Sequence, residues 1–514
     1  NVAASVRGDF ANPANWSFNG GFTGLTLPSG EDDIPGFRNL SGAVASSRPG
    51  EFDLTLNSYV TQLTFPGVFR EPKLNFDSIT GNIHIRTEPT LKLSFKDIRV
   101  KNADATATGS GTWEATSGAG TIDIGGQILT ARGESVHKYL PNAIGSVALN
   151  YVEAAVLAGK GSNGTWVVRG ELDQFPWDGE HKGEGLFKIE ADVTDGQLDF
   201  MPSHRMTKRG KFVAAEHWPV LRNINAHLLF EGNRMLITGK SAESQHLTAS
   251  NVRVEIPSYV GKDAKLTVTG RIDGDLNNAI AYINTAPFLR EVLGDSFLQS
   301  NGKGKQTSLL SIELPFDDPG KTRFSVESTL KNAEFRYLPM LPAAKKLTGS
   351  LRFDNEGVHA RSAVAGELAG KPLSIGVTTN NDILKLSIKG RLLPEDGNRM
   401  LDLPWTEPLF AKAKGYADAA VELELPFQNP SRWVLRGSSN LQGLELGLPA
   451  PFSKEADAQW PVSFEWSPEG SADRRLVISL ENRGSLNMRF SEKERTEKGR
   501  KSSVLLPASG SIGI

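Results

Sequence analysis

The 514 residues carry 57 Lys+Arg against 59 Asp+Glu, a net charge of −2, which excludes the chain-wide basic character of a nucleic-acid coat. Apolar residues at 39% exclude disorder as the main state, and no run of about 20 mainly apolar residues could span a bilayer as a helix. There is no Cys, so disulfides, iron–sulfur clusters, Cys-ligated zinc and thiol nucleophiles are impossible, which suits folding in an oxidising space.

The chain opens at Asn1 without a charged-then-apolar leader and reads as a processed or excised fragment. From residue 91 onward the main signal is alternation with a period of two. Leu91, Leu93 and Phe95 alternate with Lys92, Ser94 and Lys96. Val147 to Ala158 reads as a helix with Val147, Tyr151 and Ala155 on one face, capped at Gly159. Trp166 and Val168 open the next strand, and Glu190, Asp192 and Asp199 read as solubilising outer-face residues. Asp195-Gly196, Asn233 and Asp273-Gly274 signal turns, and Leu266 and Val268 share a strand face between them. A short helix is expected over Pro287 to Leu293.

Leu310, Ile312 and Leu314 alternate next, followed by turns at Glu356-Gly357 and Asn380-Asn381. Leu384, Leu386 and Ile388 then alternate with Lys385, Ser387 and Lys389. Met400 to Ala411 suggests a helix broken by Pro404 and Pro408. Val421, Leu423 and Leu425 form another face, as do Trp460, Val462, Phe464 and Trp466, and Leu476, Ile478 and Leu480. The charged stretch Ser491 to Ser503 reads as a solvated loop. One apolar and one wet face per strand is the antiparallel pattern; buried parallel strands would be apolar on both faces. The expected fold is therefore mainly β and largely antiparallel with a few short helices, the apolar faces being covered either by a second sheet, as in stacked sandwiches, or by a ligand in an open groove.

The chain also resembles itself. Leu310-Ser-Ile-Glu-Leu-Pro-Phe-Asp-Asp-Pro319 matches Val421-Glu-Leu-Glu-Leu-Pro-Phe-Gln-Asn-Pro430. Trp166-Val-Val-Arg-Gly170 echoes Trp433-Val-Leu-Arg-Gly437, and Leu266-Thr-Val-Thr-Gly-Arg271 echoes Leu386-Ser-Ile-Lys-Gly-Arg391. Repeated strand–turn–strand units argue for a sheet grown by accretion. Three sheet segments are expected, 1–135, 136–300 and 301–514, the last holding the repeat as 310–339 and 421–449. Around 40 strands at about 4.8 Å each would span on the order of 190 Å.

Catalytic constellations appear only as near misses. Gly366-Glu-Leu-Ala-Gly-Lys371 is one residue short of a phosphate loop and has Pro372 where Ser or Thr is needed, so it reads as a turn. Asp273-Gly-Asp-Leu-Asn277 has the acid spacing of a calcium loop, but Asn278 and Asn284 stand where Gly and Glu are required, so a hairpin turn is expected. The eight His are scattered, with no HExxH, and no Gly-x-Ser-x-Gly elbow occurs. No metal site, cofactor or nucleic-acid partner is expected, and the chain reads as a scaffold or binder, not an enzyme.

Several segments together carry a resemblance. They are Val136-His-Lys-Tyr-Leu-Pro141, Tyr151-Val-Glu-Ala-Ala-Val156, Trp166 to Trp177, Trp218-Pro219, Leu228-Leu-Phe-Glu-Gly232, Met235-Leu-Ile237, Leu347 to Phe353 and Gly366 to Leu373. In this order and spacing they resemble the central region of the YhdP family, large AsmA-like proteins of Gram-negative bacteria. The resemblance implies a periplasmic protein held in the inner membrane by an N-terminal helix. It implies a bridge-like lipid transporter whose curled sheet forms an apolar groove for phospholipid. It also implies membrane partners at either end, with outer-membrane or periplasmic proteins as further candidates. The residues expected to line the groove are Leu91, Leu93 and Phe95; Trp166 and Val168; Leu266 and Val268; Leu310, Ile312 and Leu314; Leu384, Leu386 and Ile388; Val421, Leu423 and Leu425; Trp460, Val462 and Phe464. The alternative is a structural or assembly protein of the envelope with a packed β core and no ligand.

Overall fold

The computed structural model describes residues 2–7, 17–30, 34–177, 181–202, 204–206, 212–214, 218–286, 289, 297–337, 343–368, 370–394, 407–427, 429–450, 452–470, 473–497 and 500–513. Among the described residues, twenty-eight strands belong to one open sheet, and the fold is mainly β at 66% strand. The chain divides into two compact units. Unit one holds residues 1–244, 248–270 and 312–322; unit two holds 245–247, 271–311 and 323–514.

Unit one is a meander. The strands Val2–Arg7, Ser17–Leu27, Gly36–Arg48, Glu51–Thr64, Lys73–Arg86, Lys92–Lys101, Ala105–Glu114 and Thr121–Arg132 each pair antiparallel with the next. The series continues through Val156–Glu171, Leu186–Leu198, Leu221–Glu231 and Arg234–Ser244. In unit two the same order runs from Arg323–Arg336 and Ala344–Asp354 through Val364–Leu368, Lys371–Asn380, Ile383–Leu392, Ala417–Pro426 and Val434–Ser439. It ends with Val462–Glu469, Asp473–Leu480, Gly484–Glu497 and Arg500–Gly513.

Turn chemistry sets several of these registers. Asn381 and Asp382 have φ of 48° and 60°. Two left-handed residues make the hairpin turn whose twist matches its strands, and Asn and Asp tolerate that conformation best after Gly. The turn locks Asn380 opposite Ile383 and hence Leu386 opposite Val377. The turn at Asn233 stands where expected, and the one expected at Glu356-Gly357 falls one residue earlier, on Asn355-Glu356, with Gly357 opposite Asp354.

Three expected turns or loops are strand instead. Asp195-Gly196 lies inside Leu186–Leu198, where the register shifts at a bulge and Asp195 takes φ 53°. A bulge and a turn demand the same left-handed residue, so sequence does not separate them. Asp273-Gly274 ends the strand Lys265–Asp275, which runs directly into a helix, Leu276–Thr285. The stretch from Ser491 pairs across the hairpin Gly484–Glu497/Arg500–Gly513, with Glu494 opposite Ser503. Ladder hydrogen bonds come from the backbone and do not require apolar side chains.

The helices also depart from expectation. Ser146–Ala155 ends at Ala155, and Val156 begins a strand that contains Gly159. Its buried residues are Leu149 and Ala155, while Val147 is 83% exposed. Of the helix expected over Pro287–Leu293, Leu289 alone is described, and it is helical; the rest lies outside the described residues. Of Met400–Ala411, the described part is the single turn Glu407–Phe410. Helix Leu276–Thr285 went unread, although Leu276, Ile280 and Ile283 have helical spacing.

In unit two the long connections 393–416 and 440–461 leave the same edge, because two antiparallel strands separate them. They meet in a small pair of strands, Ala413–Gly415 with Leu444–Leu446. Lys454 is buried beside it, and its Nζ donates to the Leu444 and Glu455 carbonyls at 2.8 and 3.0 Å. Burial holds its pKa below the ordinary lysine value.

Candidate functional site

Register converts the alternation of single strands into rows that cross the sheet. In unit two one row runs Ile375, Ile388, Val421, Gly437, Phe464, Ile478, Leu486, Ile512. The next runs Val377, Leu386, Leu423, Leu435, Trp466, Leu476, Met488. Every member but Gly437 is apolar, and at Gly437 the Phe464 ring occupies the space a Cβ would take. A ring laid over a cross-strand glycine keeps the row covered where the chain has no side chain.

In unit one a row runs Val44, Leu54, Ile83, Phe95, Gly111, Ile124, Val168, Phe187. Beside it lie Leu93, Trp113 and Ile122. Trp166 stands opposite Gly126, and its indole reaches past it to cover Gly109 on Ala105–Glu114. Its Nε1 donates to the Thr108 carbonyl at 3.1 Å, so the ring is held flat against the sheet.

The rows are of two kinds. Leu384, Leu423 and Leu425 are buried to 2%, 7% and 1% exposure, in a cluster with Tyr337, Val358, Val377 and Phe427. Ile283 of helix Leu276–Thr285 packs against that cluster. Leu386, Ile388, Val421, Val462 and Phe464 are half-buried, as are Leu93, Phe95, Trp166, Val168, Leu266, Val268, Leu310, Ile312 and Leu314. Among the described residues, the cluster around Leu476 and Phe490 draws its members from the last four strands, and Ile512 is 74% exposed. The cluster around Phe22, Leu40, Leu56 and Ile79 is likewise built from five adjacent strands of one sheet. Two expected residues stand apart. Leu91 precedes its strand and is 40% exposed. Trp460 precedes Val462–Glu469 and lies under the Arg483 guanidinium, 4.2 Å from its ring centre.

The opposite face is charged and cross-linked. Lys385 pairs with Glu422 at 3.0 Å, and Arg436 bridges Glu424 and Glu465, both at 2.9 Å. The Glu422 carboxylate raises the Lys385 pKa, and Glu424 with Glu465 raises that of Arg436. These pairs are about half exposed and contribute little stability each, but they mark which face meets water. A concavity of about 1200 Å³ in unit two opens mainly on this face, beside Lys389, Arg391, Asp418, Ser438, Ser463 and Ser479. Among the described residues no cluster of His, Asp and Glu has metal-site geometry, and no helix is long and apolar enough to cross a membrane.

A family model described as YhdP protein matches residues 1–507. The chain belongs to the YhdP family. A similar protein is the intermembrane phospholipid transporter YhdP of Escherichia coli (strain K12), 22% identical over 467 residues. The match covers 86% of this chain and 34% of that protein, so the chain spans about a third of the length of its curated relative. No solved structure matches.

For this YhdP-family chain, strand-face assignment from alternation places most expected residues on shared rows. What alternation could not supply is the glycine-covering role of Trp166 and Phe464. Trp166 covers Gly109 two strands away, and Phe464 covers Gly437 on the neighbouring strand, glycines that are distant from each ring in sequence. The Trp-x-x-Arg-Gly echo passes through both neighbourhoods, but its glycines Gly170 and Gly437 are covered by Trp177 and Phe464 and not by the Trp of the motif.

Proposed function

We propose that this chain is a phospholipid-carrying segment of a bridge between the inner and outer membranes, with acyl chains lying on its apolar rows. The observation that carries this is the half-exposed row from Ile388 to Ile512: among the described residues, the cluster around its Phe464 and Ile478 draws only on the last four strands. Large exposed apolar patches on a soluble surface mark a binding face. Tails would gain about 25 cal/mol per Å² of apolar area buried, without specific hydrogen bonds. Family membership and the relative's printed role in intermembrane phospholipid transport support the same reading. In the full-length protein this segment would stand in the periplasm and be held in the inner membrane. The mechanism is passive: no bond is made or broken, and direction comes from the membranes and proteins at either end.

The test is mass spectrometry of lipid extracted from the purified chain. Bound phospholipid in stoichiometric amount is expected. A folded chain that carries none, even after incubation with phospholipid vesicles, would favour a purely structural envelope role and overturn the transport reading.

A further inference from the structure

The apolar side of one strand in unit two begins with polar residues. Gln306 and Ser308, on Lys305–Pro315, are 3% and 5% exposed. By the two-residue period they share the face of Leu310. Ser308 Oγ donates to Gln306 Oε1 at 2.5 Å and lies 2.7 Å from Ser328 Oγ. Because the Ser308 proton is already used, the Ser328 hydroxyl donates to Ser308. The three side chains thus form a short relay that ends on the amide oxygen.

The relay leaves the other end of the amide unmet. Gln306 Nε2 is buried and has no hydrogen-bond partner. The surroundings are apolar: Ser328 stands opposite Leu351, and Leu330, two residues on, is 4% exposed. Nearby lysines are engaged elsewhere, Lys303 with Glu334 and Lys305 with Asp275. A buried amide donor without an acceptor is costly, and such groups in folded proteins ordinarily find a partner. The missing partner must be an acceptor and must tolerate apolar neighbours. With no free cation in the trio, a neutral carbonyl fits better than a phosphate.

We propose that Gln306, oriented by Ser308 and Ser328, is a hydrogen-bonding site for the ester carbonyl of a glycerolipid whose acyl chains lie on the adjacent apolar rows. This rests on the transport reading above. Rows of Leu, Ile and Phe hold a tail at any position along its length. A single polar notch fixes one point, the junction of tails and glycerol. The notch would be a resting position at which the lipid is held in register.

The experiment compares two lipids with the same headgroup and tail length, a diacyl phosphatidylethanolamine and its di-O-alkyl ether analogue, which lacks both carbonyls. The purified chain is loaded from an equimolar mixture and the bound lipid is measured by mass spectrometry. The wild type is expected to enrich the diacyl form about fivefold, the ratio one neutral hydrogen bond provides. Gln306→Leu and Gln306→Met are expected to bind as much lipid in total with a ratio near one. Ser308→Ala is expected to fall between them and the wild type. Both Gln306 variants remove the unmatched amide donor but also the acceptor of the Ser308 hydroxyl, so they should stay folded and melt within a few degrees of the wild type. Equal uptake by the wild type, an unchanged ratio in the variants, or unfolding of both Gln306 variants would overturn the notch. Failure to load either lipid would instead overturn the transport reading.

Discussion

His227 stands between two carboxylates on unit one's charged face. Its Nδ1 lies 2.9 Å from Asp192 and its Nε2 3.1 Å from Glu190. The hydrogen bond to Asp192 is the main cause that raises the imidazole pKa above the ordinary value, opposed by partial burial and assisted by Glu190. Asp192 and Glu190 are shifted down in turn, Asp192 chiefly by His227 and Glu190 chiefly by Lys188. A pKa raised on folding means that the charged imidazole stabilises the fold below the unfolded-state value near 6.5. That contribution fades as pH rises through the raised folded value. An NMR titration of His227 should therefore give a midpoint above the ordinary one. Asp192→Asn should lower it more than Glu190→Gln does. A wild-type midpoint at or below the ordinary value would show that the ring does not sit between the two carboxylates. Sequence gave no notice of this trio: Glu190 and Asp192 read as solubilising residues, and His227 lies 35 residues from Asp192 in the chain.

The hairpin Lys371–Asn380/Ile383–Leu392 shows how a strand's own sequence fixes its place. Because Asn381 and Asp382 are both left-handed, Asp382→Gly should be neutral or stabilising, and Asp382→Val should cost about 1–2 kcal/mol in urea denaturation. Equal midpoints for the two variants would mean the turn does not hold this geometry. Alternation was legible for most expected strand faces because the period of two is a property of the backbone itself. Depth of burial was not. Leu386 and Leu384 read alike, yet Leu384 is 2% exposed while Leu386 is half-buried. The difference comes from Tyr337, Phe427 and the helix Leu276–Thr285, which are distant in sequence. Charge substitutions should expose it. Leu423→Arg places an unpaired charge among packed side chains and should cost about 3–5 kcal/mol. Ile478→Asp, on the half-exposed row, should lower the melting temperature far less while abolishing bound phospholipid. Ser463→Lys, exposed on the other face, should change neither. If Ile478→Asp unfolds the chain as completely as Leu423→Arg, both rows are closed core and the binding face is lost with them.

Considered whole, the molecule is a sequence of neighbours. Among the described residues, the long strands whose registers are given above pair antiparallel with the strand before and the strand after. Stability in such an array is a sum of adjacent interfaces, so damage should stay local. Gly126→Ala, whose Cβ would overlap the Thr108 carbonyl, should raise hydrogen exchange in Ala105–Glu114 and Thr121–Arg132. It should leave protection in Asp473–Leu480 unchanged; loss of protection there would reveal a single cooperative block. The alternation of strand direction has a consequence for cargo. Peptide dipoles of adjacent strands oppose each other, so the sheet sets up almost no field along the line in which its strands succeed one another. A phosphate headgroup moving strand by strand would feel no electrical slope from the backbone. On the transport reading the floor is level, and the same chain would carry lipid as readily one way as the other until a gradient at one end tilts the traffic.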